Sequence, residues 1–462
     1  MHSMTLLTAI LMRDLVFVAF LVIIFGIGLR RPFVFVLAYV YIDVVSPQRL
    51  TYLLLNSIPI SLIAAGFAVG AWLLVDDKRD SRFAPRQLIM LLLTVYCWIT
   101  TSQADFPIEA ADKWSWVWKA MAFAIFLPLT LRTRLRMEAL ALFMVTSAAS
   151  IIIIGGIKTL GSGGGYGGLN LMVTNNTGLY ESSTIACVAI AIVPLILFLL
   201  KHGRIFSNNW RSKAFAYALC FACLLIPVGT EARTGLICIG VLGILTLRHT
   251  KRRVLFLTIA GILAASTIPF LPSSYSSRMD TIRDYKSDSS ASTRIEVWKW
   301  TWNYAKENPL GGGFSAYLQN NIRYKAVKVE NNGAQSQQQD TLIQDKARAY
   351  HSAYFEMLGE QGFPGLFLWL LIQVGGLVRM EIVQRRNKQT KSEADKWIGP
   401  MATALQHGQI IYMVGALFVG IAFQPFMLMM IAMQIGLDSY STRRRSEARW
   451  RPLTNRKAAL TL

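Results

Sequence analysis

The chain has 462 residues, 53% of them hydrophobic and only 16% charged, with a mean hydropathy of +0.41 and a net charge of +21. Soluble globular proteins carry about 25% charged residues. Here the apolar residues come in long blocks such as LVFVAFLVIIFGIGL from Leu15, which excludes a soluble enzyme, a disordered chain and a secreted disulfide scaffold. Strands of a bilayer β-barrel would alternate apolar and polar residues, so the composition points to an all-α polytopic membrane protein.

A span needs roughly 20 apolar residues, and the blocks predict spans near 13–29, 33–46, 53–75, 87–103, 115–131, 137–156, 183–200, 214–230, 233–248, 253–271, 353–378 and 403–440. The last block is long enough to cross twice, with a turn near Gln424-Pro425. The expectation is therefore about 12 transmembrane helices. No cleavable signal peptide is apparent, and the first apolar block is expected to remain as a span.

The positive charge is concentrated between the blocks, at Arg30-Arg31, Lys78–Arg86, Arg132–Arg136, Lys201–Lys213, Arg248–Arg253, Arg379–Lys396 and Arg443–Lys457. That placement follows the positive-inside rule and assigns these clusters to the cytoplasm, which removes the case for nucleic acid. The remaining connections fall on the periplasmic side: 104–114, 157–182, the turn at 231–233 and the large segment 272–352. The chain thus divides into transmembrane helices over 1–271, a periplasmic loop domain over 272–352, C-terminal transmembrane helices over 353–440 and a basic cytoplasmic tail over 441–462.

Within the loop domain, Val297, Trp298, Trp300, Thr301 and Tyr304 have roughly helical spacing, which predicts an amphipathic helix over 293–307. Pro309 and Gly311-Gly312-Gly313 end it. The polar run Asn331–Asp340 is expected to be mobile. Trp114, Trp116 and Trp118 read as an interfacial aromatic belt. Gly161–Gly168 lacks the GxxxxGK[ST] pattern and reads as a flexible lid or linker rather than a nucleotide loop. The five cysteines all lie in apolar blocks and read as small buried hydrophobes.

Charged residues at membrane depth are costly and mark sites. Lys119, Glu181, Arg233, Glu356 and Glu360 stand out, all towards the outer face. Of the five histidines, His351 alone is placed on that face, at the junction of the large loop and a span. A neutral imidazole there can act as a general base. Arg233 sits in the minimal turn Thr230-Glu231-Ala232-Arg233-Thr234-Gly235, and Arg294 opens the amphipathic helix. Each has a structural alternative, pairing with an acid. Converging with His351 on one cavity, the two guanidinium groups suit a pyrophosphate, which arginine grips in bidentate fashion. The carboxylates lack the tight pairing that a metal site would need, so no metal is expected.

The stretch from His351 to Gly365, HSAYFEMLGEQGFPG, resembles the signature that opens the span after the large periplasmic loop of O-antigen ligases and O-antigen polymerases. Arg294, Trp298 and Asn308-Pro-Leu-Gly-Gly-Gly-Phe314 are similar to that family's Arg, Trp and Pro-x-Gly-x-Gly pattern, and Glu231-Ala-Arg233-Thr-Gly resembles its Ser-Arg-x-Gly turn, with Glu231-Ala232 in place of the usual lead. These features run in order through residues 180–378. The N-terminal half, with Arg31-Pro32 and Ser46-Pro-Gln-Arg-Leu50, looks like the exosortase-associated O-glycosylation ligase branch.

The resemblance implies a GT-C-type glycosyltransferase of the bacterial inner membrane, working at the periplasmic face without metal, ATP or other cofactor. Its donor would be a glycan on undecaprenyl pyrophosphate. Its acceptor would be a sugar hydroxyl of lipid A–core for a ligase, a growing glycan for a polymerase, or a Ser/Thr hydroxyl for a protein O-glycosylation enzyme. His351 would be the base, and Arg233, Arg294 and Lys119 would hold pyrophosphate. Glu181, Trp298 and Glu356 would support the site. A flippase or transporter for lipid-linked glycan is the reading from another class.

Overall fold

The computed structural model describes residues 2–51, 53–162, 179–205, 209–248, 289–332, 335–388, 390 and 392–449. The span expected at 253–271, nearly all of Gly161–Gly168, residues 272–288 and the end of the basic tail lie outside the described residues.

Among the described residues, ten helices precede the large loop: α1 (His2–Arg30), α2 (Phe33–Val45), the single turn α3 (Pro47–Leu50), α4 (Ile60–Leu74), α5 (Pro85–Ser102), α6 (Pro107–Thr130), α7 (Arg134–Ser162), α8 (Ser182–His202), α9 (Trp210–Gly229) and α10 (Arg233–Arg248). Then come α11 (Ser289–Glu307), a 3-10 turn (Ala316–Gln319), β1 (Asn321–Asn332), β2 (Gln335–Lys346), α12 (Ala353–Asn387), α13 (Ile398–Gly415) and α14 (Pro425–Arg449). Among the described residues, five helices are long and apolar enough to cross a membrane: Leu11–Arg30 of α1, Arg134–Gly161 of α7, α8, α9 and α12. The chain is a helical membrane protein.

A helix that is hydrophobic on all sides must be enclosed by others, and α8 is the central one. It packs on α13, α9, α10 and α7, and 78% of its most apolar window is buried inside the protein, against 22% for α1. Around this centre, α12 packs on α13 and α5, α14 on α6, and α2 on α4 and α7.

The basic clusters meet at one end of the bundle. Arg132 Nη2 lies 3.0 Å from Asp77 and Arg136 Nη1 2.6 Å from Asp76. Arg443 Nη1 reaches Asp80 at 3.3 Å, and Arg379 reaches Asp438 at 2.8 Å. Segments far apart in sequence, all assigned to one side by charge, are thus tied together in space.

Three elements differ from expectation. The span near 53–75 begins only at Ile60, because Asp14 of α1 accepts from the N–H groups of Leu53 (2.9 Å) and Leu54 (3.2 Å) and holds that backbone out of a helix. The loop domain holds strand as well as helix. β1 and β2 form an antiparallel hairpin in which Asn321 pairs with Lys346 and Asn332 with Gln335. Finally, α12 is interrupted at Gly362 (φ 62°, ψ −166°). The last apolar block does divide, α13 ending at Gly415 and α14 starting at Pro425.

Candidate active site

At the end of the bundle opposite the basic clusters, the loop after α11 docks on the break in α12 through backbone hydrogen bonds. Gly312 N–H donates to Gly359 O (3.1 Å), Gly313 N–H to Glu360 O (2.9 Å), and Phe363 N–H to Pro309 O (3.0 Å). Gly311 has φ +86°, and a Cβ there would fall 2.5 Å from Gly362 N and 2.6 Å from Glu360 O. Backbones can approach this closely only without side chains between them. That is the physical content of the Pro-Leu-Gly-Gly-Gly motif.

Beneath the docked loop lies a buried charge cluster. Lys113 Nζ of α6 donates to Glu356 Oε1 (2.6 Å) and Glu360 Oε2 (2.7 Å). Glu360 Oε1 also accepts from Ser315 N–H (3.0 Å), and Glu356 Oε2 from Ala422 N–H (3.1 Å). Glu360 is fully buried and Glu356 nearly so. Buried charges persist only when paired and hydrogen-bonded. Here the pairing fastens α6, the Gly-rich loop and the turn before α14 to the first turns of α12.

His351 lies just before those turns, with a left-handed backbone (φ 48°). A non-glycine residue in that region is uncommon and is held there by its surroundings. On one side Trp298 Nε1 donates to Tyr350 O (2.9 Å), and the Trp298 ring stacks on Phe355 at 5.0 Å. On the other, Ala353 N–H donates to Ala416 O (2.8 Å).

The imidazole is reached by solvent and sits among charges. Its pKa is pushed below the ordinary 6.5, first by desolvation against the protein, then by Arg294 and Arg348, with Glu181 pulling the other way. Proximity to guanidinium groups disfavours the imidazolium. The neutral ring, able to accept a proton, is therefore the form held at neutral pH.

Around His351 lie Arg294, Glu181 and Arg348, with Trp298 bonded to the residue before it. Arg348 is fixed by Asp345 (2.7 Å) and by its backbone bonds with the Asn320 side chain. Glu181 also caps α8, accepting from Ser183 N–H (3.3 Å) and Thr184 N–H (2.8 Å). Arg233 begins α10 after Glu231 (φ 50°). It is anchored at the same end, because a Cβ on Gly235 would lie 2.6 Å from Pro227 Cβ of α9 and 3.0 Å from Ala186 Cβ of α8. Glu356 serves the Lys113 cluster. Lys119 does not join the group around His351: it lines an apolar groove of about 210 Å³ between α4 and α6, with its ammonium 5.9 Å from the Trp118 ring centroid. Sequence reasoning missed Lys113 and Arg348. Their partners lie in the loop domain and in α12, and no local pattern announces them.

Two family models match the chain. Residues 12–204 match a family of unknown function (DUF5935), and residues 216–370 match the family described as O-Antigen ligase. A search of curated proteins finds no match. The second matched segment contains Arg233, Arg294, Trp298, His351 and Glu356, so this third of the chain is an O-antigen ligase-type domain.

Proposed function

We propose that the protein is an O-antigen ligase that moves a glycan from undecaprenyl pyrophosphate to a sugar hydroxyl of lipid A–core, at the periplasmic face of the inner membrane. The observation that carries this reading is the constellation of His351, Arg294 and Arg348, all within the segment that matches the O-antigen ligase family, with Glu181 acting on His351 from the N-terminal segment, at the bundle end opposite the basic clusters.

In this reading the acceptor hydroxyl attacks the donor's anomeric carbon. The new C–O bond forms as the bond from that carbon to the phosphate oxygen breaks. The hydroxyl proton passes to the neutral His351 ring, and undecaprenyl pyrophosphate departs with the bonding electrons. Direct displacement inverts the anomeric centre. Pyrophosphate is already a good leaving group, so the protein's part is anion stabilisation by Arg294 and Arg233 together with a positioned base. Glu181 stabilises the imidazolium that forms. GT-C-type architecture with about 12 spans belongs to the same proposal.

The deciding experiment is the glycan profile of a deletion strain. Polymer retained on undecaprenyl pyrophosphate and absent from lipid A–core supports the ligase. Single-repeat capping of lipid A–core makes the protein a polymerase, and loss of glycan from proteins alone makes it a protein O-glycosylation enzyme. An unchanged profile rejects the proposal.

A further inference from the structure

Lys119 carries a charge that the proposed transfer does not use. It lies on α6, eleven residues before the helix end that meets the basic clusters, which is about 16 Å along the axis. Among the described residues its ammonium has no ion-pair or hydrogen-bond partner, and its charge meets only the Trp118 ring, 5.9 Å from the centroid. An ammonium at membrane depth is costly without a counter-charge or a route to the headgroups.

The groove beside Lys119 has the shape of a slot for a chain. It holds about 210 Å³ between α4 and α6, and no lining residue is acidic. Ala65 and Gly66 on α4 and Ala122 on α6 leave it open, and a Cβ on Gly66 would meet nothing within 4 Å. Phe123, stacked on Tyr39 at 3.6 Å, forms its back. Below it α4 and α6 come together at Trp72 and Phe126, whose ring centroids are 5.6 Å apart. The same distance up each helix from that contact are Ala65 and Lys119, so the ammonium stands one turn below the upper end of the groove at Ser61.

The shortness of α4 brings headgroups to that level. Its 15 residues extend about 22 Å, less than the hydrocarbon core of about 30 Å. The residues just above it, Asn56 and Ser57, are polar and exposed. A bilayer thins around a helix too short to cross it. Phosphates on this flank therefore approach Lys119, and its long side chain extends towards them.

The slot takes a hydrocarbon chain, and the ammonium takes one anionic head. That head is not the proposed donor's pyrophosphate, because a different face of α6, the one carrying Lys113, meets α12 and the His351 group. An anionic phospholipid of the surrounding bilayer supplies both parts. We infer that the groove between α4 and α6 binds one acyl chain of an anionic phospholipid whose phosphate pairs with Lys119. The lipid braces one face of α6 while Lys113 fastens another face to α12.

The test is lipid retention by the full chain in detergent, read by native mass spectrometry. The probes are phosphatidylglycerol and phosphatidylcholine with identical chains. The unaltered protein should prefer phosphatidylglycerol about fivefold, the worth of one lysine near a headgroup. Lys119→Gln should remove the preference, and Lys119→Arg should keep it. Gly66→Leu fills the groove and should weaken retention of both lipids about tenfold, the equivalent of excluding two methylenes. A preference that survives Lys119→Gln, or unchanged retention in Gly66→Leu, overturns the site. Undecaprenyl phosphate serves as competitor: if it displaces phosphatidylglycerol at equal concentration, the groove belongs to a polyprenyl tail and the phospholipid assignment falls. If Gly66→Leu does not fold, the two Lys119 variants decide. None of these readouts involves glycan transfer, so the site stands or falls apart from that reading.

Discussion

Trp298 holds the residue immediately before His351: its indole N–H donates to the Tyr350 carbonyl at 2.9 Å. His351 is thereby presented from a backbone clamped at both sides, by Trp298 upstream and by the Ala353–Ala416 hydrogen bond downstream. General-base assistance contributes about 10²–10⁴-fold. His351→Ala should therefore lose at least about a hundredfold in turnover while donor binding persists. His351→Gln should not recover it, because an amide cannot take up the proton. Near-normal turnover of the Gln variant in a purified assay would reject the base assignment. Trp298→Phe keeps the stack on Phe355 but removes the hydrogen bond, and should lower kcat more than it raises KM.

The charges around His351 set the acid limb of the pH–rate profile. The base works only when neutral, and desolvation, Arg294 and Arg348 all hold its pKa below 6.5. Activity should therefore persist below pH 6.5 and fall only as the ring protonates at a lower pH. Arg294→Gln removes a cation, raises that pKa and should shift the limb to higher pH. Glu181→Gln removes an anion and should shift it lower. Both shifts in one direction, or none, would contradict the arrangement.

Lys113 pairs with both Glu356 and Glu360, and among the described residues no second cation is ion-paired with either. Removing one partner of a buried pair costs about 3–5 kcal/mol, because the other is left uncompensated. Lys113→Met should lower thermal stability in detergent accordingly. Adding Glu356→Gln and Glu360→Gln should return much of the loss, since the orphaned charge is then gone. No recovery in the triple variant would mean that the lysine acts through packing rather than charge.

Gly362 has φ +62°, and a Cβ there would run into Pro309 O and fall 2.5 Å from Gly311 N. A strained backbone position of this kind costs about 1–3 kcal/mol for a residue with a side chain. Gly362→Ala should loosen the Pro309–Ser315 loop from α12, seen as faster amide exchange at Gly312 and Gly313 than at α8. Unchanged exchange would show that the loop is held elsewhere.

Sidedness is open to labelling with an impermeant thiol reagent in a background without native cysteines. A cysteine replacing exposed Lys346 at the end of β2 should react in intact spheroplasts, whereas one replacing exposed Glu393 should react only after lysis. The reverse pattern would place His351 in the cytoplasm and end the proposed mechanism.

The helices were legible because apolar runs of span length have few other solutions, and the motif residues Arg233, Arg294 and His351 stood out by type and side. What the sequence hid was pairing over distance. Lys113 and Lys119 each adjoin a tryptophan on the same helix, and nothing local separates them. They are six positions apart, which at about 100° per residue puts them on different faces. One face meets α12 and its two glutamates, the other meets α4 and an apolar groove. Lys119 was therefore grouped with the site and Lys113 overlooked. The β-hairpin was hidden for another reason: its second strand is rich in glutamine, and polar runs without periodicity read as loop.

The chain leaves the Gly313–Glu360 hydrogen bond, runs out through β1 and β2, and returns to Trp298 and His351 with both of its roots already fastened. A closed excursion of this kind can change in length at small cost, because doubling a flexible loop adds only about 0.6 kcal/mol of closure entropy. The hairpin is therefore an exchangeable arm. A change in its length or composition leaves the residues at its two roots in register.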